Sequence, residues 1–327
     1  HDDRGRWLRV ALATIHVPIA RVAASLTREK IVLAIELAAH AKLNLFRRVL
    51  AREADGYHGI ETLFCLVALS DTLRAERTGS GAVSLAVTGA DCGPAEQNLA
   101  FRAAELVLAA TGRRFGVQLT LTKRIPVRGG LGGGSSDAAA ALLAVNHLAG
   151  NAVPRHELLQ FAARLGSDIP FFLSGGPFAL AWGHGERLLR LPPPPPAPAL
   201  LVVPGIGIAT PEAYALVDTA RQGIGRRGAV ALDLDALATW GSLARLAGND
   251  FEFALFGRHP ELKRAFEALA ATQPLLSRMT GSGSTIFAIY RSARERDEAR
   301  LTLGRTLGEV LATETIATAV PGPEPVH

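Results

Sequence analysis

The segment from Pro126 to Ala139 constrains this chain more than any other, with five glycines in the six positions 129–134, then Ser135, Ser136 and an alanine-rich run. It lies between Val117–Lys123, where apolar and polar residues alternate as in a half-buried strand, and a helical pattern predicted over Ser136 to Ala149 and closed by Gly150. Glycine lets a backbone approach an anion closely and reach positive φ. The first turn of the following helix offers unpaired N–H groups and a partial positive charge. Ser135 and Ser136 add hydroxyl donors or a cap. Such a segment is a phosphate cradle. It is not a Walker loop, because no Gly-Lys-Ser/Thr closes it. Nor is it a dinucleotide fingerprint, since no acidic residue closes a strand about 20 residues further on. A flexible glycine linker would not be framed by a strand and a helix start.

The rest of the chain sets the frame for that cradle. At 327 residues, 48% hydrophobic and 20% charged, it is long and apolar enough for about two domains or one large α/β unit, which excludes general disorder. Cys65 and Cys92 are too few for a disulfide framework or a four-ligand zinc site, so a reducing cytoplasm is expected. A net charge of +5 suits an anionic small ligand as well as nucleic acid. Nucleic acid is the least favoured partner, because the bases are dispersed and no aromatic-basic platform is visible. No apolar run is long enough for a transmembrane helix, so no membrane partner is expected. Among the 35 bases only Lys30, Lys42, Lys123 and Lys263 are lysine, which marks those positions for attention. Residues 1–30, opening at His1 and interrupted by Pro18, are read as an N-terminal extension outside the catalytic unit, with a targeting segment as the alternative.

Patterning predicts a strand over Ile31 to Leu37 with a turn at Ala38–His40, a turn at Asp55-Gly56, and strands over Ile60–Leu69 and Ala82–Val87. Helices are predicted over Asn98–Thr111, capped by Gly112, and Pro154–Leu165, then paired strands within Phe178–Leu191. Pro192 to Pro196 and Pro198 should form polyproline II, either a spacer between units 31–191 and 199–320 or a surface loop. Beyond it a strand at Leu200–Val203 is expected, then helices near Glu212–Arg221, Leu243–Leu246 and Pro260–Ala271. A strand at Thr285–Tyr290, a helix from Ala293 to Leu307 and a frayed tail from Pro321 complete the pattern.

Pro126 to Ala139 resembles the second motif of the galactokinase, homoserine kinase, mevalonate kinase and phosphomevalonate kinase (GHMP) superfamily. Ala-Lys-Leu-Asn-Leu at 41–45 resembles its first motif, and Met-Thr-Gly-Ser-Gly-Ser at 279–284 its third. The Ala-Asp-Gly-Tyr-His segment at 54–58 and Leu-Gly-Ser-Asp-Ile-Pro-Phe-Phe at 165–172 are more specific. They resemble the branch of that superfamily whose acceptor is a cytidyl-diphospho-methylerythritol. The resemblance runs from about Ala38 to Tyr290 and implies a two-domain α+β fold. Its N-terminal domain would be of the ribosomal-protein type, its C-terminal domain ferredoxin-like, with the site in the cleft between them.

That resemblance implies transfer of the ATP γ-phosphate to the acceptor's 2-hydroxyl. Asp168 matches the catalytic aspartate, a carboxylate able to take the hydroxyl proton. Lys42 matches the lysine beside it, whose charge keeps that carboxylate ionised. Local sequence alone would also allow Asp168 to be an ordinary turn residue. The nucleotide is expected on Pro126, Val127, Arg128, Gly129, Gly130, Leu131, Gly132, Gly133, Gly134, Ser135 and Ser136, with Lys123 and Asn98 towards the adenine end. The acceptor is expected on Asn44, Tyr57, His58, Tyr214, Gly281, Ser282 and Gly283, with Tyr57 and Tyr214 stacking on the pyrimidine. Mg²⁺ should accompany ATP, though no protein metal ligands are legible. Asp137, just past the serines, reads as helix N-terminal chemistry, with a Mg²⁺-related role as the alternative. Another GHMP small-molecule kinase, or a non-catalytic ligand-binding relative, is the competing reading. Either a monomer or a homodimer is compatible.

Overall fold

The computed structural model describes residues 34–53, 56–79, 81–221, 233–304, 306–318 and 324–325. The expected extension over 1–30, the first residues of the strand expected from Ile31, Asp55 of the Asp-Gly turn and most of the tail lie outside the described residues.

An eight-stranded sheet forms the first half. Two long strands dominate it, β1 (Ala34–Arg52) and β2 (His58–Thr78), paired antiparallel from Ala34 opposite Glu76 to Arg52 opposite His58. β2 also pairs with β4 (Gly116–Thr122), which carries β3 (Val83–Thr88) in parallel on its other side. β5 (Phe178–Gly183) joins the far end of β2, and β6 (Arg187–Arg190) pairs with β5. The turn expected at Ala38–His40 is absent. The chain runs straight through, Ala38 opposite Thr72 and His40 opposite Ser70, and the only irregularity there is a register shift between His40 and Lys42. A continuous ladder of interstrand hydrogen bonds outweighs the weak local turn signal, leaving a bulge in its place.

One face of this sheet is covered by α1 (Leu99–Ala110), α2 (Gly133–Leu148) and α3 (Arg155–Leu165). α2 buries Ala138, Ala139, Ala140, Ala141 and Ala144, small side chains that let it sit close to both β1 and α1. It begins three residues earlier than expected, because Gly132 already adopts the left-handed conformation that starts it. A short helix, α4 (Ile169–Leu173), follows α3 directly.

The second half is built on a four-stranded antiparallel sheet with spatial order β11–β7–β10–β9. Its strands are β7 (Pro198–Val203), β9 (Leu276–Met279), β10 (Ile286–Ile289) and β11 (Glu309–Glu314). Between β7 and β9 run α5 (Thr210–Arg221), α6 (Leu234–Leu237), α7 (Trp240–Leu246), the two-residue β8 (Gly248–Asn249), α8 (Asp250–Arg258) and α9 (Pro260–Ala271). α10 (Ala293–Leu303) links β10 to β11 and stops at Gly304, short of the expected Leu307. Helical connections on one sheet in this strand order are the ferredoxin-like arrangement. Two elements tie the halves together: β8 pairs in parallel with β1, Phe46 opposite Gly248, and Glu324–Pro325, part of the expected frayed tail, pairs with Ile35–Glu36 as β12. A single buried cluster holds Ala41, Leu43 and Leu45 of β1 together with Ala199, Leu201, Phe287 and Ile289 of the second sheet. The Pro192–Pro196 run crosses without regular structure between β6 and β7, and its Pro195 carbonyl accepts from the Trp240 indole at 2.8 Å.

Candidate active site

Side chains alternate along a strand, so the same stretch of β1 that buries Leu43 and Leu45 between the sheets turns Lys42 and Asn44 towards the glycine loop. Both are buried. The Lys42 ammonium donates to the Gly130 carbonyl at 2.7 Å and to Asn44 Oδ1 at 2.5 Å, and lies 3.6 Å from Asp168 Oδ2. The Lys42 backbone N–H donates to Leu131 O at 2.9 Å. One lysine therefore binds the first motif to the second and faces the carboxylate of the Gly-Ser-Asp segment. Asp168 sits at the N-cap position of α4, yet its side chain makes no capping bond. Its carboxylate is one-fifth exposed and turned to Lys42, an arrangement the plain turn-residue reading does not require.

Burial pulls the Lys42 ammonium down from its ordinary value to about 8; Asp168 opposes that shift and the Arg47 guanidinium reinforces it. Lys42 should therefore lose its proton as pH rises through about 8, and Asp168 would then lose its neighbouring charge. The expected result is an alkaline limb in kcat/KM near that pH; a profile flat to about pH 9.5 would remove Lys42 from the ionisations that govern rate.

The glycine loop and the 279–284 motif pack backbone against backbone. Gly130, with φ of 76°, leaves no room for a side chain beside the Thr280 carbonyl. A Cβ on Gly132, with φ of 72°, would come within about 3.1 Å of Lys42 and Phe172 atoms. Both positions need glycine for conformation and for space. Thr285 N donates to Gly129 O at 3.2 Å, and the Thr280 hydroxyl bonds Asn44 Oδ1 and Gly130 O at 3.2 and 3.3 Å. Past the loop, the first-turn amides of Gly133, Gly134 and Ser135 have no intrahelical acceptor, and Leu99 lies beside Gly134. Gly281, Ser282 and Gly283 form the β9–β10 turn. There Asn249 donates to Met279 O and Gly281 O at 2.7 and 2.8 Å, and Ser282 meets the Thr210 hydroxyl at 3.2 Å. Pro126 is half-buried, while Val127 and Arg128 are exposed at the loop entrance, Arg128 with φ of 59°.

Two residues expected at the adenine end have structural partners instead of open faces. The Asn98 side chain caps α1 by accepting from Ala100 N at 2.9 Å. The Lys123 ammonium is enclosed, bonding Asp71 Oδ2 and, at 2.6 Å, Asp137 Oδ2. Asp71 Oδ1 accepts from the Arg124 and Ile125 amides at 2.5 and 2.8 Å. Asp137 lies past the first turn of α2 and serves a buried ion cluster under the loop, which corrects its reading as helix N-terminal chemistry, and its Oδ1 has no hydrogen-bond partner among the described residues. Burial raises the Asp137 carboxyl to about 7, the Lys123 charge opposing. For Lys123 burial lowers and the two carboxylates raise, and the carboxylates prevail.

A cavity of about 800 Å³ opens beside Asp168, lined among others by Tyr57, His58, Ser167, His184, Tyr214 and Asp218. The His58 and Tyr214 rings stack at 5.0 Å between centroids, and Tyr57 lies tilted against His184 at 5.3 Å. His58 Nε2 is 2.7 Å from Asp218 Oδ1. The two tyrosines expected to read the acceptor, 157 positions apart in sequence, line one cavity. Sequence reasoning missed Thr62, whose hydroxyl accepts from Asn44 Nδ2 at 2.7 Å, and also Asp71, Asn249 and Asp218. Of these only Asn249 left a signal, as an Asn-Asp pair of the kind that caps a helix; it does cap α8, accepting from Phe251 N at 3.0 Å.

Comparison with known proteins gives the class first. Residues 98–176 match the family described as the GHMP kinases N terminal domain, and residues 230–309 match GHMP kinases C terminal. With the ferredoxin-like half, the glycine cradle and the Lys42–Asp168 pair, this defines a phosphoryl-transferring enzyme of the GHMP kinase class. A 4-diphosphocytidyl-2-C-methyl-D-erythritol kinase from Pelotomaculum thermopropionicum is 39% identical over 280 residues, covering 85% of this chain and 96% of that protein. A crystal structure of 4-(cytidine 5'-diphospho)-2C-methyl-D-erythritol kinase superposes with a TM-score of 0.72 at 37% identity, covering 86% of this chain and 98% of that one. A homoserine kinase structure from Cytophaga hutchinsonii shares the fold, with a TM-score of 0.66 at 19% identity over 92% and 99% of the two chains. The chain belongs to the 4-diphosphocytidyl-2-C-methyl-D-erythritol kinase family. No helix among the described residues is long and apolar enough to cross a membrane.

Proposed function

We propose that the protein transfers the γ-phosphate of ATP to the 2-hydroxyl of 4-diphosphocytidyl-2-C-methyl-D-erythritol, a step of the non-mevalonate route to isoprenoid precursors. One observation carries the reading: Lys42 bonds the glycine loop at Gly130 and faces the carboxylate of Asp168, whose neighbour Ser167 lines the aromatic cavity. The nucleotide phosphates would rest on the free amides of Gly133 to Ser135, and the acceptor's base in the cavity with Tyr57, His58 and Tyr214. Asp168 then takes the proton from the attacking hydroxyl, and Lys42, 3.6 Å away, holds that carboxylate in place until it does. Phosphoryl transfer asks chiefly for positioning and charge neutralisation, which this arrangement supplies. Among the described residues no cluster of three His, Cys, Asp or Glu side chains could hold a metal. Mg²⁺ would therefore arrive on the nucleotide, near the Ser135 hydroxyl and Asp168, and would supply further neutralisation of phosphate charge. The proline run is the proposed boundary between units 31–191 and 199–320.

The decisive experiment is ADP release with the cytidyl-diphospho acceptor set against homoserine and mevalonate. Turnover confined to the first supports the reading, and turnover of either other acceptor at a similar rate overturns it. Tyr57 is 67% exposed, its ring tilted against His184, so truncation should spare the fold. Tyr57→Ala is expected to raise KM for the cytidyl acceptor about tenfold or more, from lost stacking of about 1–3 kcal/mol, and to leave KM for ATP within about twofold. Equal effects on both would remove the stacking role.

A further inference from the structure

Arg47 occupies β1 five residues beyond Lys42 and is 7% exposed. Its Nη2 donates to the Tyr214 hydroxyl at 3.2 Å, and its guanidinium lies over the Phe251 ring at 5.5 Å. Nε is buried with no hydrogen-bond partner, and no carboxylate pairs with Arg47 among the described residues. The acids that line the same cavity are engaged elsewhere: Asp218 with His58, and Glu186 with the His184 backbone N–H and, at 3.4 Å, with Arg187. A buried guanidinium without an anion is strongly unfavourable. It is also unfavourable for its neighbour, since Arg47 works against the charge on Lys42. Lys42 has Asp168 at 3.6 Å, and Arg47 has no carboxylate of its own among the described residues.

The position of the unpaired charge limits what can satisfy it. Arg47 lines the cavity with the aromatic group at Tyr57, His58 and Tyr214, while Lys42 and Asp168 mark where transfer occurs. Arg47 thus stands on the cavity wall beside Tyr214 and shares β1 with Lys42, on the side that a ligand reaching from the aromatic group to Asp168 would follow. We infer that Arg47 forms an anion subsite for the diphosphate linking nucleoside to polyol in the acceptor, so that the cavity selects a nucleoside diphosphate ester over an uncharged polyol. The inference rests on the cytidyl reading above. A guanidinium fork matches phosphate oxygens through two parallel N–H bonds, which a lysine's point charge cannot copy.

Calorimetric titration of CDP and of cytidine into the full chain tests this, with Arg47→Met and Arg47→Gln measured in parallel. Wild type should bind CDP at least about tenfold more tightly than cytidine. Either substitution should abolish most of that margin, weakening CDP about tenfold or more while cytidine stays within about twofold. In turnover, KM for the cytidyl acceptor should rise while KM for ATP holds. Removing an unpaired buried charge should leave the melting temperature of Arg47→Met at or above that of wild type. CDP and cytidine weakened equally would reduce Arg47 to a prop for Tyr214 and overturn the subsite; so would unchanged CDP affinity. Wild type binding neither compound would instead overturn the cytidyl reading, and the subsite with it.

Discussion

Replacing Asp168 with asparagine should lower kcat by at least about a hundredfold while nucleotide affinity stays within about twofold. Asparagine keeps the size and a polar face towards Lys42 but cannot accept the hydroxyl proton at its ordinary basicity. The side chain caps no helix and is one-fifth exposed, so the fold should survive, although the buried Lys42 loses its facing charge and its pKa should fall further. Two measurements check this: steady-state turnover by ADP release, and a nucleotide titration of the same sample. Retained turnover would mean that the proton leaves by another route. Loss of nucleotide binding together with turnover would mean that Asp168 orders the loop.

The second large effect concerns stability. Lys123→Met should destabilise the fold by about 3–5 kcal/mol, because it strands two enclosed carboxylates, Asp71 and Asp137, that share one ammonium. pH separates this from a simple packing change. The Asp137 carboxyl is raised from its ordinary 3.8 to about 7, so the folded state holds that proton more tightly than the unfolded chain. Its contribution to stability is complete below 3.8 and is lost as pH rises through about 7. Without Lys123 the carboxyl is pushed higher still, so the gap between variant and wild-type melting temperatures should be wider at pH 8 than at pH 5. A gap equal at both would reduce the cluster to shape alone. Adding Asp137→Asn to Lys123→Met should recover part of the loss, since one stranded charge is then removed.

The parts of this molecule legible in the sequence are those whose partners lie close by. The glycine run, the alternation of Val117 to Lys123 and the glycine stop at Gly112 announce strand, loop and helix because each signal and its consequence fall within a few residues. Only the motif resemblance pairs Asp168 with Lys42, since 126 positions separate them and no local pattern joins them. Asp71 shows why the remainder was hidden. It sits mid-strand, an unfavoured place for an acid, and only the return of β4 beside β2 brings the Lys123 ammonium and the Arg124 and Ile125 amides to it. Arg47 was hidden in the same way. In an arginine-rich chain it reads as one more surface base, and its enclosure depends on Tyr214 and Phe251 arriving from α5 and α8. The straight passage of β1 through Ala38–His40 follows likewise from the ladder with β2, a long-range term that local turn propensity does not contain.

The shared apolar cluster of Leu43, Leu45, Phe287 and Ile289 limits how this catalyst can move. A kinase whose halves open like a clamshell needs a polar or thinly packed seam, so that each swing exposes little apolar surface. Here the seam is itself core, and β8 and β12 cross it to pair with β1. Parting the halves would bring several large side chains into water at roughly 1.5–3 kcal/mol each. Such a frame favours local adjustment at exposed pieces such as Tyr57 and the loop entrance at Val127 and Arg128 over any parting of the halves.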